Sequence, residues 1–259
     1  MRPLLGVITA SYNRPQLLAR CIQSVLDQPY QRWRMYVVDD ASNESFDTIG
    51  LDERVSVRRF STNQGVNRAR NAALDQALAD QCDYVIFLDD DDYFTPNALA
   101  DMVTAIAAHP GAQWLVSNCS CRDEYGREGI PQLKGGLVLD YINDYLYEAR
   151  TSGDKTHCIA TAAIGKRRFD GRVKNTQAWT FFLQLGKHPM LSCAAVTTLK
   201  ASPDDDLARK KPGREQARQQ AWWALKQALA ALGQRPFNPT IWRWLVKRSA
   251  GLLRVWLPF

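Results

Sequence analysis

The sequence is poor in histidine and in organised cysteine. His109, His157 and His188 are its three histidines, and their spacing suggests no shared ligand set. The six cysteines, Cys21, Cys82, Cys119, Cys121, Cys158 and Cys193, form no CxxC pair and no Cys/His spacing of the zinc type. That pattern excludes a zinc module and predicts buried free thiols in a reducing compartment. No run approaches the roughly 18 apolar residues of a membrane span. The short apolar stretch Leu4 to Ala10 is followed by Tyr12-Asn13-Arg14-Pro15, not by a small-residue cleavage site. A cytoplasmic location is therefore expected. Internal repeats and low-complexity tracts are absent. So is a Gly-rich triphosphate loop near the start, which ranks a nucleotidyltransferase last among the readings considered.

Acids are scarce in one region only. From Leu207 to the end there are 11 Lys+Arg and one acid, Glu215, whereas residues 1–206 hold 22 bases and 26 acids. The net charge of +6 thus belongs to a C-terminal segment. The remaining composition, 46% apolar and 23% charged over 259 residues, is that of a globular chain with one large core or two modest ones.

The most informative stretch is Tyr84 to Pro96, YVIFLDDDDYFTP. Five apolar residues rich in β-formers read as a strand buried on both faces. Asp89, Asp90, Asp91 and Asp92 follow at once. Open α/β sheets bind ligands at the carboxyl ends of their strands, and four adjacent carboxylates repel one another unless something cationic sits among them. Mg2+ or Mn2+ suits hard oxygen ligands supplied by carboxylates and nucleotide phosphates. The plainer alternative is an acidic turn that caps the next helix.

The rest of the chain alternates. Strands are expected at Leu4 to Thr9, Arg34 to Val38, Val55 to Phe60 and Trp114 to Asn118. Helices are expected over 15–27, 66–80 and 97–108, the first with Pro15 near its start and Leu18, Cys21, Ile22 and Val25 at helical spacing. The second strand ends in Asp39-Asp40, so carboxylates again stand where a buried strand stops. This order predicts an α/β fold with a doubly wound, mostly parallel sheet flanked by helices. The rims at Asp39-Asp40 and Asp89 to Asp92 would then share one crevice. Later, a long loop is expected over 121–136, a short helix over 140–149, a strand over 159–164, a helix over 176–186, a strand over 190–199 and a helix over 213–232 broken by Gly233.

Four segments in order carry a resemblance. ITASYNRPQLLARCIQSVLDQ, VVDDAS at 37–42, NQGVNRARNAAL at 63–74 and FLDDDDYFTPNAL at 87–99 together resemble a family 2 glycosyltransferase of the GT-A fold, with its DXD motif. The likeness is specific over residues 4–105 and faint beyond about 110. It implies a nucleotide-sugar donor half at 1–110, an acceptor half at 111–205 and a basic helical extension at 206–259. It implies that Thr9, Ala10, Tyr12 and Arg14 line the donor pocket, and that Asp40, with Asp39, accepts from the base of a UDP-sugar. Arg70 would lie near the diphosphate with Asp90. Asp89 and Asp91 would form the DXD pair that holds Mn2+ or Mg2+, with Asp91 the direct ligand. Simple packing for Tyr12, a solvated charge for Arg70 and an indirect role for Asp39 are the plainer readings.

The family's usual Glu-Asp before Trp, the general-base position, is matched here by Gln177-Ala178-Trp179. Neither of the first two can take a proton. Asp154, Asp170 or an acid among Asp204, Asp205 and Asp206 could substitute, and Asp170 could equally form a turn. Two activities follow as expectations. One is an inverting, metal-dependent sugar transfer to a glycan or lipid-linked acceptor in surface polysaccharide or lipopolysaccharide synthesis. The other is a catalytically impaired nucleotide-sugar-binding or scaffold protein. Residues 237–259 interleave Trp, Leu and Val with Arg and Lys, which suits attachment to the inner membrane face; packing on its own domain is the alternative. No nucleic-acid partner is expected, because no such module accompanies the charge.

Overall fold

The structure is a computed structural model, and it describes residues 2–44, 46, 52–120, 133–146, 155–172, 178–200, 214–239, 241–243, 245–246 and 249–250. In chain order the elements are β1 (Leu5–Ser11), α1 (Pro15–Leu26), β2 (Trp33–Asp39), β3 (Val55–Arg59), α2 (Val66–Ala79), β4 (Tyr84–Phe87), β5 (Tyr93–Phe94), α3 (Ala98–Ala108) and β6 (Trp114–Ser120). There follow β7 (Val138–Leu139), a π-helical turn (Tyr141–Leu146), β8 (Lys155–Ala160), α4 (Thr161–Ile164), α5 (Trp179–Gln184), β9 (Met190–Leu199) and α6 (Arg214–Gln234).

One nine-stranded sheet runs β3-β2-β1-β4-β8-β6-β9-β5, with β7 also on β9. The first four strands are parallel, as the alternation of strand and helix predicts. β1 leads through α1 to β2 and β3 through α2 to β4; β1, β2 and β4 are largely buried and mostly apolar, whereas the edge strand β3 ends in the exposed Arg58 and Arg59. The second half is mixed: β8 is antiparallel to β4 and β6, β6 and β9 are parallel, and β5 and β7 are antiparallel to β9.

The sheet divides two apolar layers. Alternate residues of each strand serve opposite layers: Val7 packs with Leu18, Ile22 and Val25 of α1 and Leu99 and Met102 of α3, while Ile8 packs with Ala69, Ala73 and Ala77 of α2. The alanines let α2 lie close to the sheet. Gly6 is required beneath it, since a Cβ there would stand 3.1 Å from Cys82 Sγ and 3.2 Å from Ala77 Cβ. The second layer continues into an aromatic group, with Phe87 edge-on to Phe169 and Phe181, and Trp114 stacked on Tyr141 at 5.2 Å. Of the cysteines, Cys21, Cys82, Cys119 and Cys158 are free and buried and Cys193 is free and half-buried, as expected; Cys121 lies outside the described residues.

Two expectations need correction. The apolar run 159–164 is not a strand. The strand is Lys155–Ala160, and the chain turns into α4 at Thr161. The polar start of β8 is buried because polar partners meet it: Thr156 Oγ1 lies 2.6 Å from Thr198 Oγ1 and 3.2 Å from Cys119 Sγ. At Thr161 the hydroxyl donates to the Cys82 carbonyl and the N–H to that of Asp83, which ends the strand. Secondly, α6 runs through Gly233 to Gln234; the glycine sits in the last turn with open space around it. The segment 140–149 is described only to 146, and there it is a short helix as expected, of the π type over Tyr141–Leu146. The charged stretch 202–211 and most of the 121–136 loop lie outside the described residues.

His157 is structural. It is buried in the middle of β8, accepts a 3.1 Å hydrogen bond at Nδ1 from Trp114 Nε1, and lies 4.1 Å from the Phe182 ring centroid. Burial, with the positive charges of Lys155 and Lys200 behind it, pushes its pKa down to about 3. An unfolded histidine binds its proton near pH 6.5. Between those values the unfolded chain holds a proton that the folded chain refuses, so acidification through this window weakens folding. The His157 ring resonances should therefore stay fixed from pH 8 to about pH 4. A midpoint near 6.5 in a proton NMR titration would contradict the buried placement.

Candidate functional site

β1, β2 and β4 end together on one rim, and the loops beyond them converge on Ser11, the last residue of β1. The Ser11 carbonyl accepts from the Asp40 N–H at 2.9 Å, and the Ser11 hydroxyl donates to Asp90 at 2.7 Å. The two acidic groups, far apart in sequence, therefore touch the same residue. Thr9 lies behind them, buried, with its hydroxyl on the Leu88 carbonyl. Ala10 is half-buried, and Tyr12 stands out at the mouth with 45% of its surface exposed.

Asp39 and Asp40 are both buried. Asp39 accepts from the Ser42 N–H and hydroxyl and pairs with Arg59 Nε at 3.4 Å. Asp40 accepts the N–H groups of Gln64 and Gly65, each at 2.7 Å, one on each oxygen. Gly65 has φ of +93°, a conformation that favours glycine, and it leads directly into α2. Asp40 therefore ties the Asn63-Gln64-Gly65 turn to the rim, and α2 projects from that turn.

α2 brings Arg70. Its guanidinium is buried, bonds Asp89 through Nη2 and lies over the Phe169 ring. Phe169 is held to the same helix by Asn71, which exchanges two 2.9 Å hydrogen bonds with its main chain. Asp170 follows. Its carbonyl accepts from Asn67, and its carboxylate is clasped by the Arg172 side chain and N–H, contacts that hold its pKa low. The observed partner is thus a neighbour in the same turn. Asp154 and Gln177 lie outside the described residues. Ala178 caps the start of α5, its carbonyl accepting from Phe181 and Phe182.

Every member of the four-acid run meets a cation. Arg14 Nη1 lies 3.2 Å from Asp90 and 2.9 Å from Asp91, Arg70 bonds Asp89, and Lys200 Nζ lies 2.5 Å from Asp92. Arg20 adds a 3.1 Å bond to the Asp91 carbonyl. Burial opposes the charge on Asp89, Asp90 and Asp92. It wins at Asp90, raised to about 6, and at Asp92, also raised. At Asp89 burial is outweighed by Arg70, Lys200 and Arg14, and the carboxyl stays low. Asp89 is also the most open of the four, with 43% of its side chain accessible.

Carboxylate oxygens of Asp89, Asp91 and Asp92 can be drawn one from each, all within 4.8 Å of one another. Three hard oxygen donors at this separation fit a divalent ion such as Mg2+ or Mn2+. Asp89 and Asp91 were expected here from the sequence; Asp92 was not.

The family model described as "Glycosyl transferase family 2" matches residues 6–173. The chain belongs to that family. A protein of Bacillus subtilis named as a teichuronic acid biosynthesis glycosyltransferase, TuaG, is 40% identical over 103 residues, 38% of this chain and 40% of that one. A protein of Escherichia coli K12 named as a colanic acid biosynthesis glycosyl transferase, WcaA, is 37% identical over 217 residues, 79% of this chain and 64% of that one. The chain thus spans less than two thirds of either relative's length. Among solved structures, Staphylococcus aureus TarS 1–349 in complex with UDP-GlcNAc matches with a TM-score of 0.74 at 18% identity, over 96% of this chain and 72% of that one. A mannosyltransferase of Pyrobaculum calidifontis in complex with GDP-Man and Mn2+ matches at 0.60 and 16% identity, over 100% of this chain and 77% of that one. At these identities the likeness establishes the fold, which is that of the GT-A glycosyltransferases.

Within this family 2 fold the sequence missed Lys200, Ser11 and Ser42. Ser11 and Ser42 lie inside the quoted segments but carry no distinctive signal alone. Lys200 had none: it arrives because β5 pairs antiparallel with β9, Tyr93 opposite Leu199, which sets residue 200 beside residue 92. Its own N–H bonds the Ser120 carbonyl and fixes it there.

Asp40→Asn should test the tie between rim and α2. The amide can accept only one of the two N–H groups and turns its NH2 towards the other. Leaving a buried donor unmatched costs about 1–3 kcal/mol, so the unfolding free energy from denaturant titration should fall by that amount, with a lower midpoint. An unchanged midpoint would mean the turn is held by other contacts.

Proposed function

We propose that this family 2 protein is a glycosyltransferase. It moves a sugar from a nucleotide diphosphate-sugar, UDP-sugars favoured, to a glycan or lipid-linked acceptor in surface polysaccharide or lipopolysaccharide synthesis, with inversion, at the cytoplasmic membrane face. The observation that supports this reading is the meeting of Asp40 and Asp90 on Ser11, which sets both carboxylate groups, the one assigned to the base and the one assigned to the phosphates, on one rim. The solved neighbours with UDP, UDP-GlcNAc and GDP-Man support the donor class.

The residues divide the work. Tyr12 offers an exposed ring face to a base beside Ala10, and Thr9, wholly buried with its hydroxyl on the Leu88 carbonyl, supports them from behind. Asp39 and Asp40 are oriented by their hydrogen bonds; both oxygens of Asp40 keep a lone pair for a base N–H, whereas Asp39 Oδ1 is filled by the Ser42 N–H and hydroxyl. Arg70 and Arg14 bring positive charge to the diphosphate side. Asp89, Asp91 and Asp92 would hold Mn2+ or Mg2+, which when bound supplies Lewis-acid stabilisation to the departing nucleoside diphosphate. Arg14, Arg70 and Lys200 hold the carboxylates together, and would share them with such an ion.

The proton acceptor is the open part. Asp170 and Asp154 remain the proposed bases, and Asp170 must leave Arg172 to serve. The stretch before α5 offers Ala178 where the family usually has a carboxylate. That observation supports the second reading, a nucleotide-sugar-binding protein with impaired catalysis.

A thermal-shift screen against UDP-, GDP- and dTDP-sugars, each with and without Mn2+, should show stabilisation by at least one donor that increases with the ion. Failure with every donor would remove the proposal. Transfer or donor hydrolysis in Mn2+ separates the two readings. In Asp91→Ala that turnover should drop by about a hundredfold or more, with the folded circular dichroism spectrum retained. Full turnover in this variant would refute the role of the acidic cluster.

A further inference from the structure

The helical residues at the C-terminal end, 241–243, 245–246 and 249–250, bury only part of their apolar surface. Ile241 and Leu245, four apart and on one face, are buried in the aromatic layer with Trp114 and Phe181. The approach to them is fixed. Arg235 pairs with Asp140 at 2.8 Å and bonds the Gly186 carbonyl, and Trp242 Nε1 donates to the Pro236 carbonyl at 2.8 Å. Trp242 and Val246 are also four apart, one residue further round the helix. They are 52% and 69% exposed, and Phe237 in the preceding turn is 95% exposed. The apolar arc is thus wider than the domain covers, and the exposed Arg243 borders it.

We propose that Phe237, Trp242 and Val246 form a docking surface for a bilayer that carries anionic headgroups. Charge selects this occupant. Arg243 is exposed beside the patch, and residues 236–259 contain Arg243, Lys247, Arg248 and Arg254 and no acid. A second copy of the chain on a two-fold axis would set those cations against themselves. An acidic bilayer accepts the tryptophan at headgroup depth, the Phe and Val side chains at the acyl boundary, and the cations on lipid phosphates. Because Ile241 and Leu245 belong to the core, docking would fix how the whole domain meets the membrane. This inference stands apart from the donor chemistry and is read without it.

The test uses the full chain and vesicles of phosphatidylcholine alone or mixed with phosphatidylglycerol. The protein should co-sediment with the mixed vesicles, and its tryptophan emission should shift to shorter wavelength. Neutral vesicles should bind it weakly, and added salt should release it. Phe237→Ser with Val246→Ser should weaken binding on the order of tenfold, and Arg243→Ala by about fivefold. These side chains are exposed, so the thermal midpoint should hold in both variants. The proposal fails if the mixed vesicles do not bind the protein, or if both variants bind as the parent does. It fails equally if sedimentation velocity shows a dimer that the Phe237/Val246 variant dissolves, since a second copy would then be the occupant. A donor-induced thermal shift, retained in these variants, reports the nucleotide site separately.

Discussion

Four adjacent carboxylates at the mouth of a sheet are an electrostatic problem that the rest of the molecule is arranged around. Their mutual repulsion, strengthened by burial, is opposed by Arg14, Arg70 and Lys200, which come from the start of α1, from α2 and from the end of β9. Each cation has a different structural origin. Arg14 is delivered by the turn after β1, Arg70 by the tie between Asp40 and the Gln64-Gly65 turn, and Lys200 by the pairing of β5 with β9. The site is therefore a junction of three long-range contacts.

The second half of the chain completes that junction. β8, β6 and β9 extend the parallel sheet with mixed strands, and their aromatic layer with Phe169, Phe181 and Phe182 supports Phe87 just before the acids. Phe169 also backs the Arg70 guanidinium. Packing in the second half of the chain is thus coupled to the charge balance at the rim of the first. The same layer takes in Ile241 and Leu245, so the basic C-terminal segment is joined to the domain as well.

Much of this was legible in the sequence. The helix from Pro15, the strands through Val7, Val37 and Ile86, and the acid groups at Asp39-Asp40 and Asp89 to Asp92 follow from apolar runs and their terminators. In a parallel sheet buried on both faces, that pattern is close to obligatory. The site was legible in part: Asp89, Asp91, Asp40 and Arg70 stand in short motifs. β8 was not, because Lys155, Thr156 and His157 look like loop residues until Thr198, Cys119 and Trp114 are beside them. Asp170 could be read as a base or as a turn, and its bonds to Arg172 show the turn contact that local sequence allowed.

The sequence by itself determined where the strands stop, and hence that two sets of carboxylates would stand on one edge. Period, chain direction and the right-handed crossover leave little choice in that. Tertiary structure alone decided which cations neutralise those carboxylates, that Asp92 joins Asp89 and Asp91, and which apolar side chains at the C-terminal end stay in water. Those outcomes depend on side chains distant along the chain, whose proximity is set by strand pairing and burial and leaves no local periodicity to read.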